Sequence, residues 1–505
     1  MFSILKRLVR HSLVYGLGYS LTRFIGFLLL PLYTNYFLPR DYGIAALVFT
    51  FLAIANVIFT LGLNTAFLRF FVLADSREEK KRIFSTVYLS TIFTTILFAS
   101  LVFVFSPHLS RLILGQAQYS VLIKLSGGIL LFDTFSVFPL LILRGEQQSG
   151  KFIKINLINV ITNFGLNILF IVHLGWGVEA IFRANLIASA VTFLLLSPII
   201  CRYFNFSPSG EIYKELLKFG LPYIPSTLSV TLMDIIDRLL LGKLTDTGTV
   251  GIYNAGYKLG MIMALVVAGF RFAWHPFFLS TSKRQEAKEV FSKVLTYFLL
   301  FTGFIFLTVS FFVDDIVRFH IFGFTLFGPN YWKATQIVPL ILLSYISYGV
   351  YVNFLVGIYL EKKTGYLPLI TGLGAGSNII GNLLLIPRLG MMGAACATLG
   401  AYLLMALLLY LFAQRHYPIS YEYGRLAKIA AVCSVLFFLG RLGIHLHLPA
   451  WGLSVYKIAL LIFYPLSLLT LRFFHPSEID RIRQVWSRGQ IFSGEMQTAS
   501  PDNDG

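Results

Sequence analysis

Three basic side chains lie far inside apolar stretches of this sequence, where a charge is costly unless it meets a partner or a water-filled cavity. Arg23 lies about 12 residues into the first apolar run, and Arg271 lies about ten residues before the end of the run at 249–279. At about 1.5 Å per helical residue, these positions are roughly 18 Å and 15 Å deep. Neither arginine has an acidic residue within one helical turn. Lys258 lies on the same run as Arg271.

Two explanations are open for these cations. A phosphate-bearing ligand in a wet cavity would satisfy them, because guanidinium and ammonium groups make charge-assisted hydrogen bonds to phosphate oxygens. Alternatively, they form salt bridges to acidic residues on other helices, for which Asp133 and Asp237 are the candidates. Under the first explanation Arg23, Arg271 and Lys258 form a diphosphate site, and Asp133 and Asp237 become candidates for ion coupling or gating.

His275 and Pro276 follow Arg271 closely on the same run. A proline inside a helix frees a backbone carbonyl and bends the helix, which suits a gating element. A histidine could also titrate in a proton-coupled cycle. The alternative is a histidine that is only hydrogen-bonded within the fold.

Two charged pairs have a simpler explanation. Glu179 and Arg183 are four residues apart, as are Asp234 and Arg238. Each pair can therefore neutralise itself along one helix face, and structural pairing is the favoured interpretation of both.

The sequence contains no catalytic constellation. It has no nucleophile-elbow, zinc-protease or nucleotide-binding motif, so no catalytic residue and no cofactor is predicted. The three cysteines lack metal-ligand spacing, and no metal site or disulfide framework is expected. The longest predicted outer loop, at about 313–331, is too short for a catalytic domain.

The composition is that of a polytopic membrane protein. Of the 505 residues 57% are hydrophobic and only 13% are charged, about half the usual charged fraction of a soluble protein. The sequence predicts about fourteen transmembrane helices, at 12–38, 43–73, 83–105, 120–143, 155–174, 176–200, 217–241, 249–279, 290–313, 333–360, 364–386, 390–412, 427–446 and 451–473.

The net charge of +18 follows the same pattern. If the N-terminus is cytoplasmic, about 26 of the 41 lysines and arginines fall in cytoplasmic segments. Both termini are therefore predicted to be cytoplasmic, and nucleic acid is not needed to explain the basic character.

Two halves of the chain repeat each other. Asn163–Ile171 recurs as Asn378–Ile386 at a shift of 215 positions, and a weaker match pairs Gly43-Ile44 with Gly251-Ile252. The paired asparagines could hydrogen-bond a sugar, although contacts between helices are the simpler explanation. Six spans separate the copies, so the two repeats have the same topology and could rock against each other around a central cavity. The alternative is a duplicated membrane anchor that transports nothing.

The predicted fold is therefore all-α, with two pseudo-symmetric six-helix lobes and two further C-terminal helices. The predicted segments are an N-terminal lobe at 1–200, a cytoplasmic linker at 201–216, a C-terminal lobe at 217–412, helices 13 and 14 at 413–473, and a cytoplasmic polar tail at 474–505.

Several short motifs, in this order and spacing, resemble the polysaccharide flippases of the multidrug/oligosaccharidyl-lipid/polysaccharide exporter superfamily. They are Tyr15–Gly18, Pro31–Tyr33, Asp41–Ile44, Leu221–Pro225, Asp237-Arg238, Val250–Asn254, Tyr257-Lys258, Phe272–Phe277, Asn378–Asn382, Ile386-Pro387 and Gly393–Ala395.

This resemblance implies a flippase that moves polyprenyl-diphosphate-linked oligosaccharides from the cytoplasmic to the outer leaflet of the cell membrane, for O-antigen, capsule or exopolysaccharide. It also implies lipid and polysaccharide-polymerase partners, and cationic residues such as Arg23 and Arg271 that hold the diphosphate. Drug-exporting relatives commonly carry an acidic residue in the first span, whereas this chain carries Arg23 there. An ion-coupled drug exporter is the alternative, followed by a membrane polysaccharide polymerase or ligase.

Overall fold

The computed structural model describes residues 27–221, 223–282, 284–321, 324–443, 449–474 and 478. These ranges are almost entirely helical. The α-helices are α1 (Leu30–Tyr36), α2 (Pro39–Phe59), α3 (Leu63–Leu73), α4 (Arg77–Val104), α5 (Ser106–Leu114), α6 (Ser120–Gly145), α7 (Ser149–Ile168), α8 (Glu179–Tyr203), α9 (Gly210–Gly220), α10 (Tyr223–Leu244), α11 (Thr247–Thr281), α12 (Ala287–Arg318), α13 (Val338–Leu360), α14 (Leu367–Leu389), α15 (Met391–His416), α16 (Tyr423–Gly443) and α17 (Ala450–Thr470).

Shorter elements lie between these helices. A π-helical turn, Leu169–His173, extends α7, and 3₁₀ turns cover Ala117–Tyr119, Pro329–Ile337 and Thr364–Tyr366. Two short strands, β1 (His320–Ile321) and β2 (Phe324–Thr325), pair antiparallel.

Local sequence signals explain where several helices begin. The side chain of Ser76 accepts a hydrogen bond from the backbone N–H of Glu79 at the start of α4, and Asp246 accepts one from Thr249 at the start of α11. These are N-caps, which satisfy amide groups that have no partner inside the helix. Helix α2 instead begins with Pro39, whose missing N–H is not needed in a first turn.

The all-α membrane fold predicted from the sequence is confirmed. Twelve helices of the described ranges are long and apolar enough to cross a membrane. Each matches one of the fourteen predicted spans. Of the other two predicted spans, 12–38 lies mostly outside the described residues, and 217–241 corresponds to α10, which carries three ionisable residues between 234 and 238.

The predicted span at 43–73 is wrong in one respect, because it is not a single helix. It breaks between α2 and α3, where Leu61 and Gly62 have φ angles of 48° and 66°. A right-handed helix cannot continue through left-handed backbone, so the chain restarts at Leu63.

The described residues fall into two compact units. The first combines parts of Met1–Leu295 and Phe312–Ser420 and therefore contains both sequence repeats. Within it α6 packs between α4 and α8, and α15 packs against both α13 and α14. Helix α2 packs directly against α10 and α11, which joins the two repeats. The boundaries predicted for the two lobes stay a prediction.

The second unit comprises Thr296–Phe311 of α12 together with α16 and α17. Arg425 anchors it through ion pairs to Glu422 at 2.9 Å and Glu478 at 3.0 Å. The hydroxyl group of Tyr464 donates a hydrogen bond to the backbone oxygen of Leu300 at 2.9 Å.

Candidate functional site

A cavity of about 390 Å³ lies between the two sequence repeats. Helices α1, α2, α7 and α8 line it from the first repeat, and α10 and α11 line it from the second. This volume falls within the usual range of small-molecule sites. The two walls differ in chemistry, because the side chains from α10 and α11 include two cations, Arg238 and Lys258.

Arg238 is held in a fixed orientation by α10 and α11. Its guanidinium Nη1 donates hydrogen bonds to the Asp237 carboxylate at 3.1 Å and to the backbone oxygen of Asp234 at 2.5 Å. Its Nε donates to Oδ1 of Asn254 at 3.1 Å, and its Cζ lies 4.2 Å from the ring centroid of Tyr257. Only 7% of Arg238 is exposed. This network fixes the guanidinium and leaves the two hydrogens of its Nη2 as the donors for an anion in the cavity.

Asp237 lies behind Arg238 and does not line the cavity. Its side chain is fully buried, and it accepts a hydrogen bond from the hydroxyl group of Tyr253 as well as pairing with Arg238. A buried carboxylate and guanidinium that are paired and hydrogen-bonded offset each other's desolvation. The cavity surface on this side therefore presents the basic member of the pair.

Lys258 lies one helical turn beyond Asn254 on α11. Its ammonium group lies 6.0 Å from the ring centroid of Tyr33 and 5.6 Å from that of Tyr42, and both rings belong to the first repeat. A cation within about 6 Å of an aromatic face is attracted to the ring. Lys258 thus lines the cavity and also links the two repeats.

The opposite wall is neutral. Asn159 and Asn163 reach the cavity from α7, and Asn185 reaches it from α8. Asn163 accepts a hydrogen bond from Asn167 at 3.0 Å, and Asn167 accepts one from the hydroxyl group of Tyr33 at 3.0 Å. This chain of hydrogen bonds fixes the amide of Asn163.

Helices α2 and α11 approach each other very closely where both begin. The two helices cross so closely that a Cβ on Gly43 would lie 1.7 Å from the backbone oxygen of Thr247, and a Cβ on Gly251 would lie 2.0 Å from that of Pro39. Only glycine permits such an approach. The pair Gly43 and Gly251 is also the pair matched in the sequence repeat, so equivalent positions meet.

Two further contacts join the repeats. The amide of Asn35 donates a hydrogen bond to the backbone oxygen of Thr325 at 2.8 Å, and the hydroxyl group of Tyr331 donates one to that of Phe37 at 3.0 Å. Both bonds join α1, or the residue that follows it, to the segment between α12 and α13. Each repeat therefore supplies one backbone carbonyl that accepts a hydrogen bond from a side chain of the other repeat.

The structure brings together only some of the predicted site residues. Lys258 lines the cavity, and Asp237 lies directly behind it as the partner of Arg238. Arg271 lies on the same helix about 20 Å from Lys258, is exposed, and donates a hydrogen bond to the hydroxyl group of Tyr348 at 3.1 Å. Arg23 lies outside the described residues.

His275 and Asp133 also lie away from this cavity. The ring of His275 is exposed and packs edge-on against Phe278 and Tyr359, with ring centroids 5.1 Å and 5.2 Å apart. Asp133 lies on α6 and does not line the cavity. The roles predicted for both residues stay predictions.

One charge pairing is corrected by the structure. Arg238 forms its ion pair with Asp237, and it uses only the backbone oxygen of Asp234. The Asp234 carboxylate instead accepts a hydrogen bond from Tyr402 on α15 at 3.2 Å. Helical spacing alone favoured Asp234, but a distant tyrosine competes for that carboxylate. The pairing predicted between Glu179 and Arg183 is confirmed at 2.8 Å.

Sequence reasoning missed Arg238 as a lining residue because a carboxylate four positions away explained it. It also missed Asn254, Asn159 and Asn185. A usable signal was present on α11, where Asn254 and Lys258 are one helical turn apart and therefore share a face.

Residues 8–282 match the protein family described as polysaccharide biosynthesis protein, which is more than half of the chain. The chain belongs to this family. A relative in Methanocaldococcus jannaschii, an uncharacterised membrane protein, is 24% identical over 422 residues, which cover 77% of this chain and 80% of the relative.

Solved structures share the fold of this family member. The lipid II flippase MurJ, in an inward closed conformation, matches with a TM-score of 0.74 and 18% identity over 91% of this chain and 99% of MurJ. An inward-facing multidrug resistance MATE family transporter of the MOP superfamily matches with a TM-score of 0.56 and 15% identity over 81% of this chain and 97% of the transporter. The chain therefore shares its fold with MurJ and with this MATE transporter.

Proposed function

We propose that this protein is a flippase that moves polyprenyl-diphosphate-linked oligosaccharides from the cytoplasmic to the outer leaflet of the cell membrane, for cell-surface polysaccharide synthesis. The observation that supports this most is the pair of cations, Arg238 and Lys258, on one wall of a cavity between two membrane-spanning repeats. Charges within membrane-spanning helices mark substrate pathways. A diphosphate group is an anion that a guanidinium and an ammonium group together would hold.

The close approach of α2 and α11 suggests how the lipid would move. In the predicted orientation, α2 and α11 both begin at the outer face, so the contact between Gly43 and Gly251 would seal the cavity from outside. The cavity would load from the cytoplasmic side and release outward once this contact separates. The sugar would occupy the cavity while the polyprenyl chain stays in the lipid. This is alternating access by two repeats.

The other predicted residues take further roles in this proposal. Arg23 and Arg271 would bind the diphosphate on its way to or from Arg238 and Lys258. His275, Asp237 and Asp133 are the candidates for ion coupling or gating. Polysaccharide-polymerase machinery would use the translocated lipid on the outer side.

The proposal is tested in proteoliposomes that contain undecaprenyl diphosphate bearing one N-acetylglucosamine. An external galactosyltransferase reports how fast this sugar reaches the outside. We expect protein-dependent flipping that Arg238→Gln and Lys258→Gln each reduce by at least tenfold, because each removes a charged partner of the diphosphate. Arg23→Gln and Arg271→Gln, measured in parallel, test the wider anion site.

Arg183→Gln is the matched control, since Arg183 is a partly exposed arginine whose ion pair with Glu179 lies outside the cavity. It should flip at the wild-type rate. If the wild type fails to flip the lipid under any ion gradient, the proposed function is wrong. If flipping survives loss of both Arg238 and Lys258, the cavity is not the diphosphate site.

The second candidate is an ion-coupled drug exporter, which the structural similarity to a MATE transporter favours. The same proteoliposomes would then accumulate ethidium under a sodium or proton gradient. Two basic residues on the cavity wall would repel such a cation, so we expect no accumulation.

A further inference from the structure

The two repeats use equivalent asparagines differently, and this difference carries an inference that rests on the proposed function. At the shift of 215 positions, Asn163 and Asn167 correspond to Asn378 and Asn382. In the second repeat both amides are fully buried, and Asn382 donates hydrogen bonds to the backbone and side-chain oxygens of Asn378. Neither residue lines the cavity. They serve the packing of the helices.

In the first repeat the same motif turns one amide to the cavity. Asn167 is fully buried and bonds to Asn163, as Asn382 bonds to Asn378, but Asn163 lines the cavity. Two more asparagines, Asn159 and Asn185, join it on this wall. The corresponding positions of the second repeat, Gly374 and Gly400, are glycines. The repeated fold therefore does not require these two amides.

The three amides offer both donors and acceptors to the cavity. Asn159 is oriented by its Nδ2, which donates to Thr192 at 2.8 Å and to the backbone oxygen of Ala188 at 3.1 Å, so its Oδ1 is left as an acceptor. Asn163 accepts through its Oδ1 and keeps its Nδ2 as a donor. Asn185 makes no hydrogen bond with the residues that the structure describes, so it can donate and accept.

This chemistry fits a neutral, hydroxyl-rich group. Each sugar hydroxyl both donates and accepts hydrogen bonds, and an asparagine amide can also do both. Among the described residues of this wall there is no Asp, Glu, Lys, Arg or His, so it offers no charge to a phosphate. Phe49 lines the same wall and is 37% exposed, which leaves an apolar surface for the CH face of a sugar ring.

We propose that Asn159, Asn163 and Asn185 form a sugar-binding subsite on the first repeat, opposite the diphosphate subsite formed by Arg238 and Lys258 on the second. The headgroup then lies across the cavity, with its anion on one repeat and its sugar on the other. The first repeat selects the glycan, and the second repeat recognises the diphosphate that all such lipids share.

The test compares two ³²P-labelled probes in equilibrium binding to the purified full-length protein. One is undecaprenyl diphosphate, and the other is undecaprenyl diphosphate bearing one N-acetylglucosamine. Asn185→Leu removes an amide that makes no hydrogen bond to any residue that the structure describes. We expect it to raise the Kd of the sugar-bearing probe about three- to tenfold, the value of one neutral hydrogen bond, and to leave the Kd of the bare probe unchanged. Arg238→Gln should raise both.

Asn156→Leu is the matched control. Asn156 lies on α7 one turn before Asn159–Val160, bonds only to the backbone of its own helix, and does not line the cavity. It should leave both Kd values unchanged. If Asn185→Leu changes the Kd of both probes equally, or of neither, the sugar subsite is wrong. The proposed function stands in that case as long as the wild type binds the probes. Failure of the wild type to bind either probe would overturn both.

Discussion

Helices α2–α3 and α11 are equivalent in the two repeats, yet they contribute opposite chemistry to the cavity. Aligned on Gly43 and Gly251, residues 39–73 correspond to 247–281. The cavity-lining positions Ala46 and Thr50 of α2 then match Asn254 and Lys258 of α11. The same helix face reaches the same cavity from both sides, and only one side carries a charge.

The two helices also differ in continuity. Residues 39–73 break at Leu61 and Gly62, whereas α11 is one helix of 35 residues. At the break a Cβ on Gly62 would lie 2.6 Å from the backbone oxygen of Gly220, so α9 packs against it without a side chain between. The two repeats therefore differ in chemistry, with the ionic network in the second repeat and the helix break and the three neutral amides Asn159, Asn163 and Asn185 in the first.

The largest expected effect tests the ionic network. Asp237→Leu should destabilise the protein by about 3–5 kcal/mol, because it leaves the Arg238 guanidinium buried without its carboxylate. The double variant Asp237→Leu/Arg238→Met should recover most of this loss, since no charge is left unpaired. Thermal unfolding in detergent measures both. A double variant as unstable as the single one would contradict the pairing.

We expect the second-largest effect from exchanging residues between the two cavity walls. Lys258→Thr should raise the Kd of ³²P-labelled undecaprenyl diphosphate about ten- to hundredfold, since a charged hydrogen bond contributes about 1.5–3 kcal/mol. Adding Thr50→Lys moves the cation to the equivalent position of the other wall. We expect no recovery, because Arg238 stays on the second repeat and the two charges no longer converge. Full recovery would mean that the walls are interchangeable.

A smaller change in stability should distinguish the broken helix α2–α3 from the continuous helix α11. Gly62→Ala should destabilise by at least about 1–2 kcal/mol, since an L-residue resists the left-handed backbone there. Gly269→Ala on α11 should be neutral or stabilise by up to about 1 kcal/mol, because Gly269 is helical and a Cβ there meets nothing within 4 Å. Unfolding midpoints of the two variants should move in opposite directions.

The smallest effect concerns how the two helices begin. Asp246→Ala should cost about 1 kcal/mol through loss of the α11 cap, whereas Leu38→Ala before α2 removes no cap. Burial raises the pKa of Asp246, but the hydrogen bonds from Thr249 and Gly248 outweigh it and lower this pKa below its usual value. The stability that the ionised Asp246 cap gives the protein is therefore complete above the unfolded pKa of about 3.9. It is lost as the pH falls through the lower folded pKa.

Unfolding midpoints measured against pH check this sign. The difference between wild type and Asp246→Ala should shrink on acidification, and the difference for Leu38→Ala should not follow it. A difference in unfolding midpoint between wild type and Asp246→Ala that grows at low pH would contradict the stabilising role of the cap.

Much of the fold could be predicted from the sequence, but less of the site. Apolar runs identified every described helix that is long enough to cross a membrane, because hydropathy depends on neighbouring residues alone. The break at Leu61 and Gly62 was missed, since an apolar run does not report backbone angles. Lys258, a predicted site residue, lines the cavity, while Arg238 was assigned to a local pair with Asp234.

Residue type and spacing decided the membrane class of this protein, the positions of twelve apolar helices and the sequence match between its two repeats. Tertiary packing decided which polar groups face the cavity. Asn163 and Asn378 have the same motif around them, yet one lines the cavity and the other is buried. The physical reason is that the rotation of a helix about its own axis is set by contacts with helices distant in sequence, which local patterns do not contain.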